Sequence, residues 1–149
     1  MHFLVERFRS LGIGWNERRL GESDALGLCR RFGITFLEMP LTTRGFYFRL
    51  QGKDHIAVDS GLSETQRTFV IFHELGHYLL HAPASGAAAN FHRVGERTRT
   101  EREADLFALC ALVPRDMVEN SIFQEMPSGH DLEPEQIADR LEIYEVYGI

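Results

Sequence analysis

The stretch "FVIFHELGHYLLH", Phe69 to His81, sets three histidines and one glutamate inside an otherwise apolar run. On a helical wheel Ile71, Leu75 and Tyr78 take one side, Phe72 and Leu79 another, and Phe69, Val70 and Leu80 flank the histidines. A helix that is apolar nearly all round is a buried helix. Burying an imidazole or a carboxylate without a partner costs on the order of a few kcal/mol, so these groups need one. Their spacing indicates its nature. His73 and His77 are one helical turn apart on one face and can offer two ring nitrogens to a single Zn²⁺. Glu74 is turned by about a hundred degrees from His73, following the helix period. It therefore lies beside a metal rather than on it, where it can accept a proton from water. A helix with merely solvated histidines is the plainer alternative, and the apolar surroundings speak against it.

A catalytic zinc takes three protein ligands and keeps one position open. The third ligand is sought in "TEREADLFALCALVP", Thr100 to Pro114. There Glu101, Asp105, Ala108 and Leu112 share a helical face with Ala104 close by, and small alanines let two helices approach. Glu101 can then reach the metal, and Asp105, one turn on, can hydrogen-bond the far nitrogen of a ligand histidine, which fixes its tautomer. Glu103 falls on the opposite side with Leu106 and Cys110. His81, one turn past His77, is expected either to support the ligands from behind or to serve as a cation at the helix C-terminus. His2, His55, His92 and His130 are expected to be incidental, although His92 lies in the loop between the two helices.

Working outward, Ser63 with Gln66 three residues on forms a capping box that opens the motif helix. Before it, "LGESDALGLCRRFG" reads as a helix from about Ser23 to Phe32, stopped by Gly33. "ITFLEM" is a strand ended by Pro40. "GFYFRL" alternates Phe46, Phe48 and Leu50 against Tyr47 and Arg49, a half-buried strand. "QGKD" is turn chemistry, and "HIAVDS" a third strand with Ile56 and Val58 on one face. Short connections predict an antiparallel meander. The third strand is either an exposed edge able to pair with an extended peptide or a covered one. After the motif helix come a loop rich in small residues, the Glu101 helix ending before Pro114, a short helix near Arg115 to Asn120, a loop, and a last helix with Pro134 at its first position running to about Tyr144. The fold class expected is α+β: a small antiparallel three-stranded sheet packed with a bundle of helices, residues 1–149 forming one domain.

The bulk numbers fit this plan. The chain has 149 residues, 44% of them hydrophobic, and a formal net charge of −6. Direct nucleic-acid binding or attraction to an anionic membrane is not expected at that charge. Arg93, Arg97, Arg99 and Arg102 nonetheless cluster, as a solvated loop and helix start or as a dock for an acidic partner. Two cysteines, Cys29 and Cys110, form no CxxC pair and read as buried thiols of a cytoplasmic protein.

The run "RTFVIFHELGHYLLH", followed by "EREADLFALCALVP", resembles the ImmA/IrrE family of zinc metallopeptidases over roughly Gly45 to Pro114. The resemblance implies a zincin-like fold with HExxH on a central buried helix, His73, His77 and Glu101 as zinc ligands, and Glu74 as catalytic base. It also implies a protein substrate, a helix-turn-helix transcriptional repressor or antitoxin whose cleavage derepresses genes. The alternative is a zinc-containing module that sequesters such a partner without cutting it; an intact Glu74 favours the enzyme, since binding alone needs no general base. This chain reads "LCALVP" where the family usually has "ELLMP", and its C-terminal "IADRLEIYEVYGI" ends early.

Overall fold

A computed structural model describes residues 1–81, 97–121 and 132–149. The loop expected after the motif helix, with His92 and Arg93, and the one around His130 lie outside the described residues. The elements are α1 (His2–Arg9), α2 (Glu22–Arg31), β1 (Thr35–Met39), β2 (Gly45–Leu50), β3 (Lys53–Asp59), α3 (Glu64–His81), α4 (Arg99–Leu112), α5 (Arg115–Ser121) and α6 (Pro134–Tyr147). The fold is α+β, as the sequence predicts. The helix α1 was not foreseen; it buries Val5 and Phe8 against the core.

The sheet differs from the meander expected of it. Its order is β1-β3-β2, with β1 parallel and β2 antiparallel to β3. The sheet is therefore mixed, and "HIAVDS" supplies its central strand rather than an edge. The reason lies in the two connections. Gln51 and Gly52 both have positive φ (50° and 73°), which makes a tight two-residue hairpin and sets β3 beside β2. The link from β1 to β2 spans the width of one strand, and β3 fills that slot. Asp59 secures the link: its Oδ1 accepts from the Leu41 N–H at 3.0 Å, and its own N–H donates to the Arg44 carbonyl at 2.8 Å.

The alternation of β2 resolves with Tyr47 on its inner face. Tyr47 is fully buried, while Phe46 and Phe48 are half-buried and Leu50 is exposed. Tyr47 tolerates burial because its hydroxyl donates to Asp54 Oδ1 at 2.6 Å. Phe46 and Phe48 shield one another on the outer face, where the His55 ring stacks on Phe48 at 4.7 Å. Ile56 and Val58 share one face, as predicted, and that face is buried.

The inner face of the sheet receives α3, the central helix, whose residues from Thr68 to His77 are all buried. Ser63 Oγ accepts from the Gln66 N–H, so the predicted start of this helix holds. Arg67 ties it to α2 through a two-pronged pair with Glu22, both contacts 2.8 Å. On its other side lies α4. Thr98 caps that helix, accepting from the Glu101 N–H. Phe107 of α4 packs against Phe8, Trp15 and Phe72, and its carbonyl takes the Trp15 indole N–H at 2.9 Å. Arg140 of α6, 1% exposed, closes the opposite end: it donates to the Val113 and Ile149 main-chain oxygens and to Asn16 Oδ1. Among the described residues no helix is long and apolar enough to cross a membrane.

Helices α3 and α4 approach closely at Gly76. A Cβ there would meet the Ala104 Cα at 3.0 Å and its Cβ at 3.3 Å. Gly76→Val must therefore push α4 away, and a loss of about 1–3 kcal/mol is expected, the usual cost of overpacking; urea denaturation gives the value. Burial, slightly offset for Cys29 by Arg30, pushes both thiols up to about 11. Cys29 is 2% exposed and Cys110 not at all. Both should resist an aromatic disulfide reagent at pH 8 in the native chain and react fully once guanidinium unfolds it, because the thiolate is the nucleophile.

Candidate metal centre

The close approach of Gly76 and Ala104 brings the first turn of α4 over the histidine stripe of α3. His73 Nε2 and His77 Nε2 stand 3.1 Å apart. Glu101 reaches both, with Oε2 at 3.2 Å from His73 Nε2 and Oε1 at 3.1 Å from His77 Nε2. These three residues each offer one ligand atom within 4.8 Å of the others. Tetrahedral zinc with bonds of about 2.0–2.2 Å holds its ligand atoms roughly 3.3 Å apart, so the donor set has the right types and nearly the right spread.

Asp105 lies where the helical wheel puts it. Its Oδ1 is 2.8 Å from His73 Nδ1. The far nitrogen of His73 is thus engaged, which turns Nε2 toward Glu101 and His77. The electrostatics favour a cation at this spot. Burial alone would pull the His73 imidazole down, but the carboxylates of Asp105 and Glu101, with Glu74 nearby, push it up to about 9. The same carboxylates that raise His73 would stabilise a divalent ion held between His73, His77 and Glu101.

Glu74 is 1% exposed and lies close enough for its charge to act on His73. It sits inside the motif helix, with Val70 one turn before it and Tyr78 one turn after. His77 is 2% exposed.

Glu103 is arranged differently from the sequence expectation, and His81 is its neighbour. His81 is not part of the convergent set; its ring centre lies 5.8 Å from that of His77. Its Nε2 stands 3.3 Å from Glu103 Oε2, at ion-pair distance but outside hydrogen-bond geometry. Glu103, placed by the wheel away from α3, reaches across because the helices are so close and its side chain is long. Arg99 Nε holds the other Glu103 oxygen at 2.8 Å. Burial, followed by the neighbouring His77, lowers the His81 imidazole below its ordinary range. The residue that sequence reasoning missed is Gly76. The signal was present as the glycine inside HELGH, a helix interior position where glycine is costly without a packing reason.

Residues 29–146 match the model of the peptidase M78 family, described as the IrrE N-terminal-like domain. Among curated relatives, the "uncharacterized immunity region protein 2" of Bacillus phage phi105 is 36% identical over 70 residues, 47% of this chain and 44% of that protein. The chain thus covers less than half the length of this relative. No solved structure matches. The family match takes in the whole sheet together with α3 and α4, and the chain belongs to the peptidase M78 family of IrrE N-terminal-like domains.

Proposed function

We propose that this chain is a zinc-dependent endopeptidase that cuts a partner protein, a helix-turn-helix transcriptional repressor. The observation that carries the reading is the convergence of His73, His77 and Glu101 beside a buried glutamate, Glu74, that completes HExxH. The family supports a peptidase, and the immunity-region relative from a phage supports a setting in which repressors are regulated.

His73, His77 and Glu101 would hold the ion, and Asp105 would orient His73. Zinc, when bound, supplies Lewis acidity: it polarises a peptide carbonyl and makes a water acidic near neutral pH. Glu74 takes the proton from that attacking water, and its burial keeps the carboxylate from being solvated away from the task. The same carboxyl group then gives the proton to the departing amine, so that hydrolysis ends with Glu74 ionised again. His81, its ring centre 5.8 Å from that of His77, would stand behind that ligand as a positioning residue. Strand addition of the substrate to β3 is excluded by its two partners, which leaves the edges β1 and β2 for that role.

The deciding experiment incubates the zinc-loaded chain with the helix-turn-helix protein encoded beside its gene. A defined fragment is expected from the native chain. Glu74→Gln should bind zinc at unchanged stoichiometry and cut at least about a hundredfold more slowly. Equal relief of repression by both, with no fragment, would replace the enzyme by a sequestering module. Metal affinity tests the rest of the site, read by competition with a chromophoric chelator. Asp105→Asn should weaken zinc binding by about 10–100-fold, and Glu101→Ala by more; unchanged affinity in Glu101→Ala removes it from the ligand set.

A further inference from the structure

On the α1–α6 side of α4 the surface forms an open groove of about 620 Å³. Its floor is apolar, with Leu4, Leu106, Leu109 and Ile143. Its lips carry Met1, Phe3, Val146 and Tyr147, which are four of the six large apolar side chains left exposed among the described residues. Phe3 is 70% and Val146 61% exposed, so the lips present apolar surface to water that neither helix uses for its own packing. Such concentrated exposure marks an interaction site.

One end of this groove is cationic. Arg97, Arg99 and Arg102 line it. The acids beneath them are largely covered: Asp139, which pairs with Arg97, is 21% exposed and Glu103, which pairs with Arg99, is 13%. The Arg97 and Arg99 side chains above are 54% and 85% exposed, and Arg102 has no acid partner among the described residues. What an approaching molecule meets at that end is therefore positive, although the chain as a whole is negative. Nucleic acid does not fit, because Asp105 and Glu142 also line the groove and the net charge of −6 repels it.

We infer that this groove docks an amphipathic helical segment of a partner protein, with an apolar stripe laid between α1 and α6 and carboxylates over Arg97, Arg99 and Arg102. The helical form follows from the walls. They are helices whose backbone groups are already bonded, so an extended peptide would find no main-chain partners, whereas a helix satisfies its own. The charge complementarity selects an acidic segment rather than a neutral one. Asp105 lines the groove and also holds His73, so a docked segment lies within about one helix diameter of the metal centre, roughly 10 Å. The inference does not rest on the peptidase reading, since it is tested by binding.

The test selects displayed 16-residue peptides on the full chain and measures the enriched sequences, fluorescein-labelled, by anisotropy. Apolar residues at i, i+3 or i+4 followed by Asp or Glu are expected, with helical circular dichroism in the complex. Val146→Glu and Arg102→Glu should each weaken binding at least tenfold; both positions are exposed, and Phe3→Glu replaces Val146→Glu if that variant fails to fold. The inference is overturned if no peptide is enriched, if the enriched peptides lack acidic residues, or if they bind all variants alike. It is also overturned if sedimentation shows a dimer of the chain that Val146→Glu dissolves, which would assign the groove to a second copy.

Discussion

The site depends on one contact, the approach of Ala104 to Gly76 with no side chain between them. Helices usually pack at about 8–10 Å between axes, according to the side chains at the contact. A glycine facing an alanine brings them to the near end of that range. Only then does a glutamate in the first turn of α4 reach two imidazoles on α3, and an aspartate one turn further reach the back of the nearer ring. The rest of the fold works to hold that spacing. The sheet backs α3, the Phe8–Trp15–Phe107 cluster backs α4, and the Arg67–Glu22 pair fixes α3 against α2.

Holding several carboxylates against buried imidazoles carries a cost that the surroundings offset. Asp105 and Glu101 push the His73 imidazole above its ordinary range despite burial. Buried charge of this kind is tolerated only when paired. The chain solves it by clustering opposite charges, first around His73 and again around Glu103, which Arg99 neutralises. Arg140 shows the other solution: a buried cation whose charge is disfavoured by desolvation and whose bonds go to oxygens in three different parts of the chain.

Much of this was legible in the sequence because it is written at helical period. His73, Glu74 and His77 on α3, and Glu101 and Asp105 on α4, stand within each helix in the relations that spacing dictates, and the helix starts at Ser63 and Pro134 follow from capping chemistry. What was not legible depends on contacts distant in the chain. Alternation in "GFYFRL" identifies two faces but not which is inside; three apolar residues pointed one way, and Tyr47 went inside because Asp54 could satisfy its hydroxyl. Parallel pairing of β1 with β3 is invisible to local pattern, since the connection that permits it passes through β2. The reach of Glu103 to His81 came from the closeness of the helices, which no wheel displays. The short helix α1 carries its apolar residues against a core that does not yet exist at the level of sequence.

The strand order has a consequence for how the chain assembles. The hairpin of β2 and β3 is joined by two residues and can form early, on the microsecond scale typical of such turns. β1 cannot pair with its sequence neighbour at all; it must wait for the finished hairpin to present β3. The central strand is thus the last of the three to be synthesised and the one on which the other two depend. A nascent chain that has emerged only as far as Leu50 holds two strands with no partner between them, and its sheet is committed only when Asp59 arrives to clasp the loop that spans the gap.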